Sequence, residues 1–170
     1  PPEAVCEEVN RWAREVAGHN QRMRPVPASN GHITLAFLGE IPESQAWLVA
    51  EAVQDSASDM AGLELGAPAW LPRRRARVLA LEINDREGQL AACQSRVAAA
   101  LQEAIGWRPN QTFLAHLTAI RLSRGFQPTD QALPASPVTG FSAKSVTLYA
   151  SRLRPEGSAY EALEIVVLDN

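Results

Sequence analysis

The sequence contains one polar pattern twice, each time inside an apolar run. His32 and Thr34 form the first copy, and His116 and Thr118 form the second, about half of the 170-residue chain further on. Side chains two residues apart on a β-strand point to the same side, so each copy predicts a strand that presents a histidine beside a threonine. The other side of the first strand is apolar and is expected to face the core; its residues are Ile33, Leu35 and Phe37. The repetition predicts two related halves.

Three stretches have the apolar periodicity of a helix. The first covers Glu3–Ala17, and Gly18 closes it. The second covers residues 41–60, and the third covers Gln89–Ile105 and ends at Gly106. Each helix is predicted to bury one apolar stripe.

Shorter runs predict strands between these helices. Their polarity alternates rather than being continuously apolar, which favours an antiparallel α+β arrangement over a parallel sheet. The predicted strands are residues 32–38, 63–65, 77–83, 113–122, 145–149 and 160–168, the last two forming a hairpin that turns at 155–157. Proline and glycine predict extended or loop segments at 19–30, 66–74 and 123–137, with one helical turn near Asp130.

Composition is that of a globular protein, with one domain or two small lobes around a shared core. The apolar fraction is 46%, and no apolar run reaches the roughly 18 to 20 residues of a membrane-spanning helix. No signal-peptide pattern opens the sequence, so we expect a cytoplasmic protein without a membrane partner. Cys6 and Cys93 fall in predicted helices and are expected to be reduced packing residues.

Charge argues against a broad electrostatic surface for long nucleic acids. The formal net charge is −3, whereas such binding depends on many phosphate contacts. Positive charge is nevertheless concentrated at Arg73, Arg74, Arg75 and Arg77, and arginine forks suit phosphate oxygens. The alternative reading is a solvated basic turn before a strand. Any nucleic acid is therefore expected to be held locally.

The two histidines have the chemistry that a hydrolytic displacement needs. Imidazole exchanges protons near neutral pH, and an attacking water and a leaving alkoxide require one base and one acid. Threonine hydroxyls beside them can donate hydrogen bonds to the nonbridging oxygens of a phosphate. The pattern therefore predicts His32 and His116 as catalytic residues, with Thr34 and Thr118 binding substrate.

Metal binding is the competing use of paired histidines. A catalytic zinc ion usually has three protein ligands, and neither predicted strand offers a carboxylate or a cysteine on its histidine side. We therefore predict no metal site and no cofactor. His19 lies in a polar stretch without a threonine partner and is expected to be exposed to solvent.

These motifs and their flanks resemble the RNA 2′,3′-cyclic phosphodiesterases, also called 2′-5′ RNA ligases, of the 2H phosphoesterase superfamily. The similarity covers residues 32–40, residues 116–119 with Arg121, residues 77–81 and residues 148–153, and so extends over nearly the whole chain. The resemblance implies a bilobal α+β fold, in which two antiparallel sheets form a central groove with helices outside and each lobe contributes one motif. Residues 1–170 would then form a single domain of two pseudo-symmetric lobes.

The resemblance also implies a reaction. It is the metal-independent opening of a 2′,3′-cyclic phosphate to a 2′-phosphate, with RNA ends or small cyclic-phosphate nucleotides as partners. His32 corresponds to the general acid that protonates the leaving 3′ oxygen, and His116 to the base that activates water. Thr34 and Thr118 correspond to phosphate-holding threonines, and Arg121 to an arginine near the phosphate. The protein is expected to act as a monomer.

Two departures from the family pattern concern the first strand and Arg121. Family members begin with a short apolar strand before the first helix, whereas the printed residues begin at Pro1. Strand alternation places Arg121 on the side opposite His116, unless a bulge intervenes.

Other functions fit the same residues. The chain could act on a small nucleotide such as ADP-ribose cyclic phosphate, or could bind a nucleotide without turning it over. Ligation of RNA through a 2′-5′ bond is a third activity that the resemblance implies. Because both histidine and threonine pairs are intact, catalysis is the favoured reading.

Overall fold

The computed structural model describes residues 1–128, 132–154 and 157–169. The chain divides into two compact units, each assembled from three separate segments. The first unit comprises Pro1–Thr34, Gly62–Arg86 and Leu114–Phe141, and the second comprises Leu35–Ala61, Glu87–Phe113 and Ser142–Asn170. The architecture is α+β with antiparallel sheets, as the alternating polarity predicts. Pseudo-symmetry between two lobes stays a prediction.

The first unit contains one helix and, within the described residues, a five-stranded sheet. The helix is α1 (Glu3–Ala17), and the strands are β1 (Met23–Pro25), β2 (Leu63–Leu71), β3 (Val78–Asp85), β4 (His116–Leu122) and β5 (Gly140–Phe141). The strand order is β1-β4-β3-β2-β5, and each neighbouring pair is antiparallel. β4 therefore lies between β1 and β3.

Helix α1 has the predicted bounds and buries most of its apolar stripe, although Val16 at its end is only half-buried. Val5, Val9 and Trp12 are each at most 5% exposed. Trp12 also donates from Nε1 to the carbonyl oxygen of Pro134, so its polar atom is satisfied within the same unit. The helix ends at Gly18, whose φ of 49° is in the left-handed region that favours glycine.

The core of the first unit is built from aliphatic residues on one side of the sheet. Burying a side chain of this kind contributes about 1.5 to 3 kcal/mol relative to leaving it exposed. The fully buried members include Leu63, Leu65, Leu79, Leu81, Leu117 and Ile120. At the start of β4, the buried Leu117 alternates with the half-buried His116 and Thr118, which therefore lie on the opposite side of the sheet.

The predicted strand at residues 32–38 is wrong in its extent. Only Ile33 pairs with the sheet, through an isolated antiparallel bridge to Leu117. Beyond it, the carbonyl oxygens of Leu35 and Phe37 accept hydrogen bonds from the side chains of Gln94 and Trp107, at 3.3 and 3.2 Å. Side-chain donors thus replace a neighbouring strand as the partners of this backbone. The Phe37 side chain is 75% exposed, contrary to its predicted core position.

Strand β2 is longer than the three residues predicted for it. It continues to Leu71 through Pro68, where a loop was expected. A register shift between Leu65 and Pro68 accommodates this, since proline lacks the N–H that a regular ladder would use. Strand β3 starts one residue and ends two residues later than predicted, and β4 starts three residues later than predicted.

The second unit contains α2 (Ala46–Ser56), α3 (Gln89–Ile105) and an antiparallel hairpin of β6 (Ser145–Arg154) and β7 (Gly157–Val167). α3 has its predicted bounds and ends at Gly106, with φ of 69°. α2 is shorter than predicted, because a 3₁₀ turn occupies Glu43–Gln45 before it and the chain becomes extended at Ala57.

Both hairpin strands are longer than predicted. The predicted turn covers residues 155–157; its first two residues lie outside the described ranges, and Gly157 begins β7. The helical turn predicted near Asp130 also lies outside the described residues. In the part of the chain that the structure describes, no helix has the length and apolar character needed to cross a membrane.

Candidate active site

A single backbone pairing brings the two histidine and threonine motifs together. Ile33 and Leu117 form an antiparallel bridge. In that register, the residue before one partner lies opposite the residue after the other. His32 therefore lies opposite Thr118, and Thr34 lies opposite His116.

All four polar side chains occupy one side of the sheet. Ile33 and Leu117 point to the core side, and Leu117 is only 1% exposed, so their neighbours point away from the core. We call this side the His–Thr face and define it by His32, Thr34, His116 and Thr118. All four belong to the first compact unit, and the implied contribution of one motif from each lobe stays a prediction. Thr34 is exposed and the other three are half-buried.

Both histidines are oriented by the same kind of hydrogen bond. Nδ1 of His32 donates to the carbonyl oxygen of Asn30 at 2.8 Å, and Nδ1 of His116 donates to that of Leu114 at 2.7 Å. A carbonyl oxygen only accepts, so each Nδ1 carries a proton. In the neutral ring, Nε2 is then the nitrogen that takes up and releases a proton. Both imidazoles therefore leave Nε2 as the nitrogen for proton transfer.

The loop before His32 is held by contacts with α1. Asn10 donates from Nδ2 to the carbonyl oxygen of Val26 at 2.6 Å, while the Val26 amide donates to Ala119 on β4 at 2.8 Å. A 3₁₀ turn at Ala28–Asn30 then leads into the bridge. This loop therefore has backbone contacts with the strand that carries the second motif.

Gly31 is required by close packing rather than by its backbone angles. A Cβ built at this position would lie 2.6 Å from Sγ of Cys6 and 3.1 Å from the carbonyl oxygen of Ala28. Its φ of −70° is open to any residue. The absence of a side chain therefore lets the segment approach α1 immediately before His32.

Cys6 lies under this segment as a packing residue. It is 6% exposed, and burial raises the pKa of its thiol, which keeps the neutral form at neutral pH. The thiol contacts the carbonyl oxygen of Gly31 at 3.7 Å. Cys93 on α3 is buried as well, and both cysteines are free, so the packing prediction is confirmed.

Arg121 is on the His–Thr face because strand β4 contains a bulge. Ala80 pairs with Thr118, but the next β3 residue, Leu79, pairs with Ile120, so Ala119 is an extra residue. Val78 then pairs with Arg121, and since Val78 and Ala80 share a side, Arg121 and Thr118 do too. Simple alternation had placed Arg121 on the opposite side, and that inference is wrong.

The bulge also explains an irregular burial pattern. Ala119 and Ile120 are adjacent in sequence, yet they are 1% and 0% exposed. A regular strand would bury only one of two such neighbours. Arg121, the next residue, is exposed.

Sequence reasoning missed Arg24, which lies directly opposite Arg121 on β1. Residues that are directly opposite in an antiparallel pair point the same way, so Arg24 shares the His–Thr face. Its side chain is exposed. The three-residue strand that carries it is too short for a periodicity signal. Its place became visible only from the pairing.

The arginine-rich turn between β2 and β3 reaches the same face through Arg73. On β3, Glu82 pairs with His116, so the Glu82 side chain lies on the His–Thr face. Nη2 of Arg73 approaches Oε1 of Glu82 at 4.0 Å, with the Arg73 side chain 86% exposed. A contact this long and exposed adds little stability. It does show that one arginine of the turn extends toward His116.

His19 is exposed in the turn after α1, as expected. Among residues 1–128, 132–154 and 157–169, no three His, Cys, Asp or Glu side chains group closely enough to hold a metal ion. Metal-independent chemistry stays a prediction.

Residues 1–78 match the model of the family described as "LigT like Phosphoesterase", a range that includes the first motif. The RNA 2′,3′-cyclic phosphodiesterase of Archaeoglobus fulgidus is 26% identical over 167 residues, covering 96% of this chain and 93% of that protein. The resemblance inferred from the motifs is confirmed.

Solved structures share the fold. The Thermus thermophilus protein TT0787 superposes with a TM-score of 0.77 at 23% identity, covering 98% of this chain and 93% of its own. E. coli LigT complexed with 3′-AMP gives a TM-score of 0.75 at 22% identity, covering 99% and 94%. The predicted 2H phosphoesterase fold class is therefore confirmed.

Proposed function

The chain is related to the LigT-like phosphoesterases in sequence and shares their fold, and on that premise we propose that it hydrolyses RNA 2′,3′-cyclic phosphate ends to 2′-phosphates. The observation that carries the proposal is the register set by Ile33 and Leu117. It brings the two motifs onto adjacent backbone segments of one sheet face. Two histidines and two threonines thereby surround one position that a phosphate can occupy.

The register places the histidines on one diagonal of this group and the threonines on the other. Diagonal neighbours across an antiparallel pair are about 7 to 8 Å apart at their Cα atoms. That separation lets a phosphorus atom lie between the imidazoles, with its entering and leaving oxygens on opposite sides. Thr34 and Thr118 then reach the nonbridging oxygens from the other diagonal. The arrangement supports in-line displacement.

The proposed reaction assigns one proton transfer to each histidine. Nε2 of His116 accepts a proton from water while the water oxygen bonds to phosphorus. Nε2–H of His32 donates its proton to the 3′ oxygen as the bond from phosphorus to that oxygen breaks. The products are a 2′-phosphate monoester and a free 3′ hydroxyl, and proton exchange with solvent restores both rings. Thr34, Thr118 and Arg121 stabilise the negative charge on the phosphate.

Two other functions remain candidates for the same site. A small cyclic nucleotide such as ADP-ribose cyclic phosphate presents the same reacting group. A module that binds nucleotides without turnover would use the threonines and arginines but not the matched protonation of both histidines. That matched Nδ1 geometry favours an enzyme.

Incubation with an oligonucleotide ending in a 2′,3′-cyclic phosphate, with chelator present, tests the proposal directly. The expected product is the 2′-phosphate end: sensitivity to alkaline phosphatase shows that the ring has opened to a monoester, and resistance to a 3′-specific phosphatase identifies the 2′ position. A 3′-phosphate product or an unchanged substrate would contradict the proposal. A parallel incubation with a small cyclic nucleotide shows whether the preferred substrate is an RNA end or a small nucleotide. Adding an acceptor strand with a 5′ hydroxyl tests for ligation.

A further inference from the structure

We propose that Arg24, together with Arg121, forms a second phosphate subsite on the His–Thr face. This subsite would bind the phosphate on the 5′ oxygen of the nucleoside whose cyclic phosphate is opened. The inference rests on the proposed function, because it assigns the site a preference among cyclic-phosphate substrates. It adds a specificity residue, Arg24, that neither motif contains.

The two arginines are neighbours by backbone pairing. Arg24 pairs with Arg121 between β1 and β4, so their Cβ atoms are about 4.5 to 5.5 Å apart. The bulge at Ala119 places both on the side that carries Thr118. Along the sheet, the Arg24–Arg121 pair is two residue positions from the His32–Thr118 pair, which is about 7 Å. A phosphate bound there is a different one from the phosphate held between the histidines, and in the proposal Arg121 is shared between the two, whereas Arg24 serves only the second.

Charge and exposure suit an anion at this position. Both arginine side chains are exposed, so their guanidinium groups are accessible to an anionic group of a substrate. Guanidinium groups bind phosphate oxygens through paired N–H donors, and two such groups can hold one phosphate from two sides. On the β3 side of Arg121 the opposing residue is Val78, an apolar neighbour. Arg24 and Arg121 thus form a positively charged pair beside the proposed reaction centre.

The backbone around Arg24 is held in place. Pro25 follows it and pairs with Ile120, while Val26 makes the hydrogen bonds to Asn10 and Ala119 already described. Restrained backbone lowers the entropy lost when a side chain on it binds a ligand. Arg24 is therefore better placed for specific binding than an arginine on a long flexible loop.

Two kinds of substrate carry a phosphate at this place. In an oligonucleotide it is the phosphodiester that joins the terminal nucleotide to the rest of the strand. In a small nucleotide it is the 5′-phosphate or 5′-diphosphate. A nucleoside 2′,3′-cyclic phosphate with a free 5′ hydroxyl lacks the group. The subsite therefore predicts discrimination by the 5′ substituent, whatever that substituent is attached to.

The test compares four substrates that differ only on the 5′ side. They are adenosine 2′,3′-cyclic phosphate, its 5′-phosphate, its 5′-diphosphate and a dinucleotide ending in the same group. In the wild type, kcat/KM should be at least about tenfold higher for the three that carry a 5′ phosphate, since hydrogen bonds to charged groups are worth that much. Arg24→Ala should abolish this advantage while leaving kcat/KM for the plain cyclic nucleoside within about twofold. The ranking of dinucleotide against diphosphate identifies the source of the phosphate.

Two further variants test whether the effect is specific to the position and the guanidinium group of Arg24. Arg14→Ala removes an exposed arginine from α1 and should change no ratio. Arg24→Lys keeps the charge but not the planar fork and should recover only part of the advantage. If Arg24→Ala lowers kcat/KM equally for all four substrates, or for none, the subsite does not exist.

A binding measurement separates this inference from the proposed function. Adenosine 2′,5′-bisphosphate and adenosine 2′-monophosphate differ by the 5′ phosphate alone, and neither requires turnover. Arg24→Ala should weaken binding of the bisphosphate by about tenfold and leave the monophosphate unchanged. This outcome supports the subsite even where the wild type opens no cyclic phosphate. Equal affinities of the wild type for the two ligands would overturn it.

Discussion

Ile33 and Leu117 form a single antiparallel bridge, and through it His32 comes to lie opposite Thr118. The bridge itself is apolar and points to the core. Its consequence is on the other side of the sheet, where two motifs far apart in sequence become one polar group. The predictions below test this group and the structure that supports it.

Replacing either histidine by alanine should nearly abolish turnover. General acid or base catalysis contributes about 10² to 10⁴ in rate, so His32→Ala and His116→Ala should each lose kcat on this scale. Because both act on one phosphate, the double variant should lose little more than the worse single variant. Steady-state kinetics on a cyclic-phosphate oligonucleotide measures this. His19→Ala, which alters an exposed histidine, serves as the control, and near-normal activity in either catalytic variant contradicts the mechanism.

Turnover efficiency should have a bell-shaped dependence on pH. One imidazole must be neutral to accept a proton while the other is protonated to donate one, so activity falls when both are protonated and when both are neutral. Measuring kcat/KM over a range of pH in the presence of chelator records the fall in activity on both the acidic and the basic side. Loss of activity in chelator that zinc or manganese restores would instead indicate a metal mechanism.

Gly31→Ala should impair catalysis through the position of His32. The new Cβ would meet Cys6 Sγ at 2.6 Å, so the loop or the helix must shift. Overpacking of this kind costs about 1 to 3 kcal/mol in the free energy of unfolding. We expect a lower midpoint in urea denaturation and a reduced kcat.

Gly140→Ala is the matched control for that substitution, because its Cβ would meet only Leu63 O at an ordinary 3.8 Å. Combining Gly31→Ala with Cys6→Ala removes the closest contact and should recover part of both losses. If Gly31→Ala behaves like Gly140→Ala, packing against Cys6 does not position the loop.

The turn between β2 and β3 should contribute a small number of phosphate contacts. Each phosphate neutralised on a single strand contributes about −0.7 to the slope of log affinity against log salt, so we expect a total slope of about −1 to −3. Arg74→Ala combined with Arg75→Ala should make the slope shallower, since the neighbouring Arg73 already extends to Glu82 on the His–Thr face.

Fluorescence anisotropy with a labelled oligonucleotide over a salt series measures both slopes. The double variant Arg11→Ala with Arg14→Ala removes the same charge from α1 and should leave the slope unchanged. An unchanged slope in the turn variant would instead show that these arginines are only a solvated turn. A slope much steeper than −3 that is unchanged in the Arg74→Ala, Arg75→Ala variant would contradict both interpretations, phosphate contact by this turn and a merely solvated turn.

Two departures from prediction have different physical causes. Alternation along a strand assumes that every residue advances the pleat by one, and the extra residue Ala119 breaks that assumption just before Arg121. The segment after Ile33 fails differently, because Leu35 and Phe37 find side-chain donors for their carbonyl groups and need no strand partner. Neither event leaves a signal in local composition.

Local periodicity in the sequence by itself determined the bounds of α1 and α3, because an apolar stripe and a closing glycine are properties of neighbouring residues. It also determined that each histidine would share a strand side with its threonine. Only the tertiary structure decided that the two pairs lie together, that Arg121 joins them, and that Arg24 stands beside it. These relations depend on register between distant segments. Register is set by which backbone groups meet when the core closes, and no local pattern encodes that.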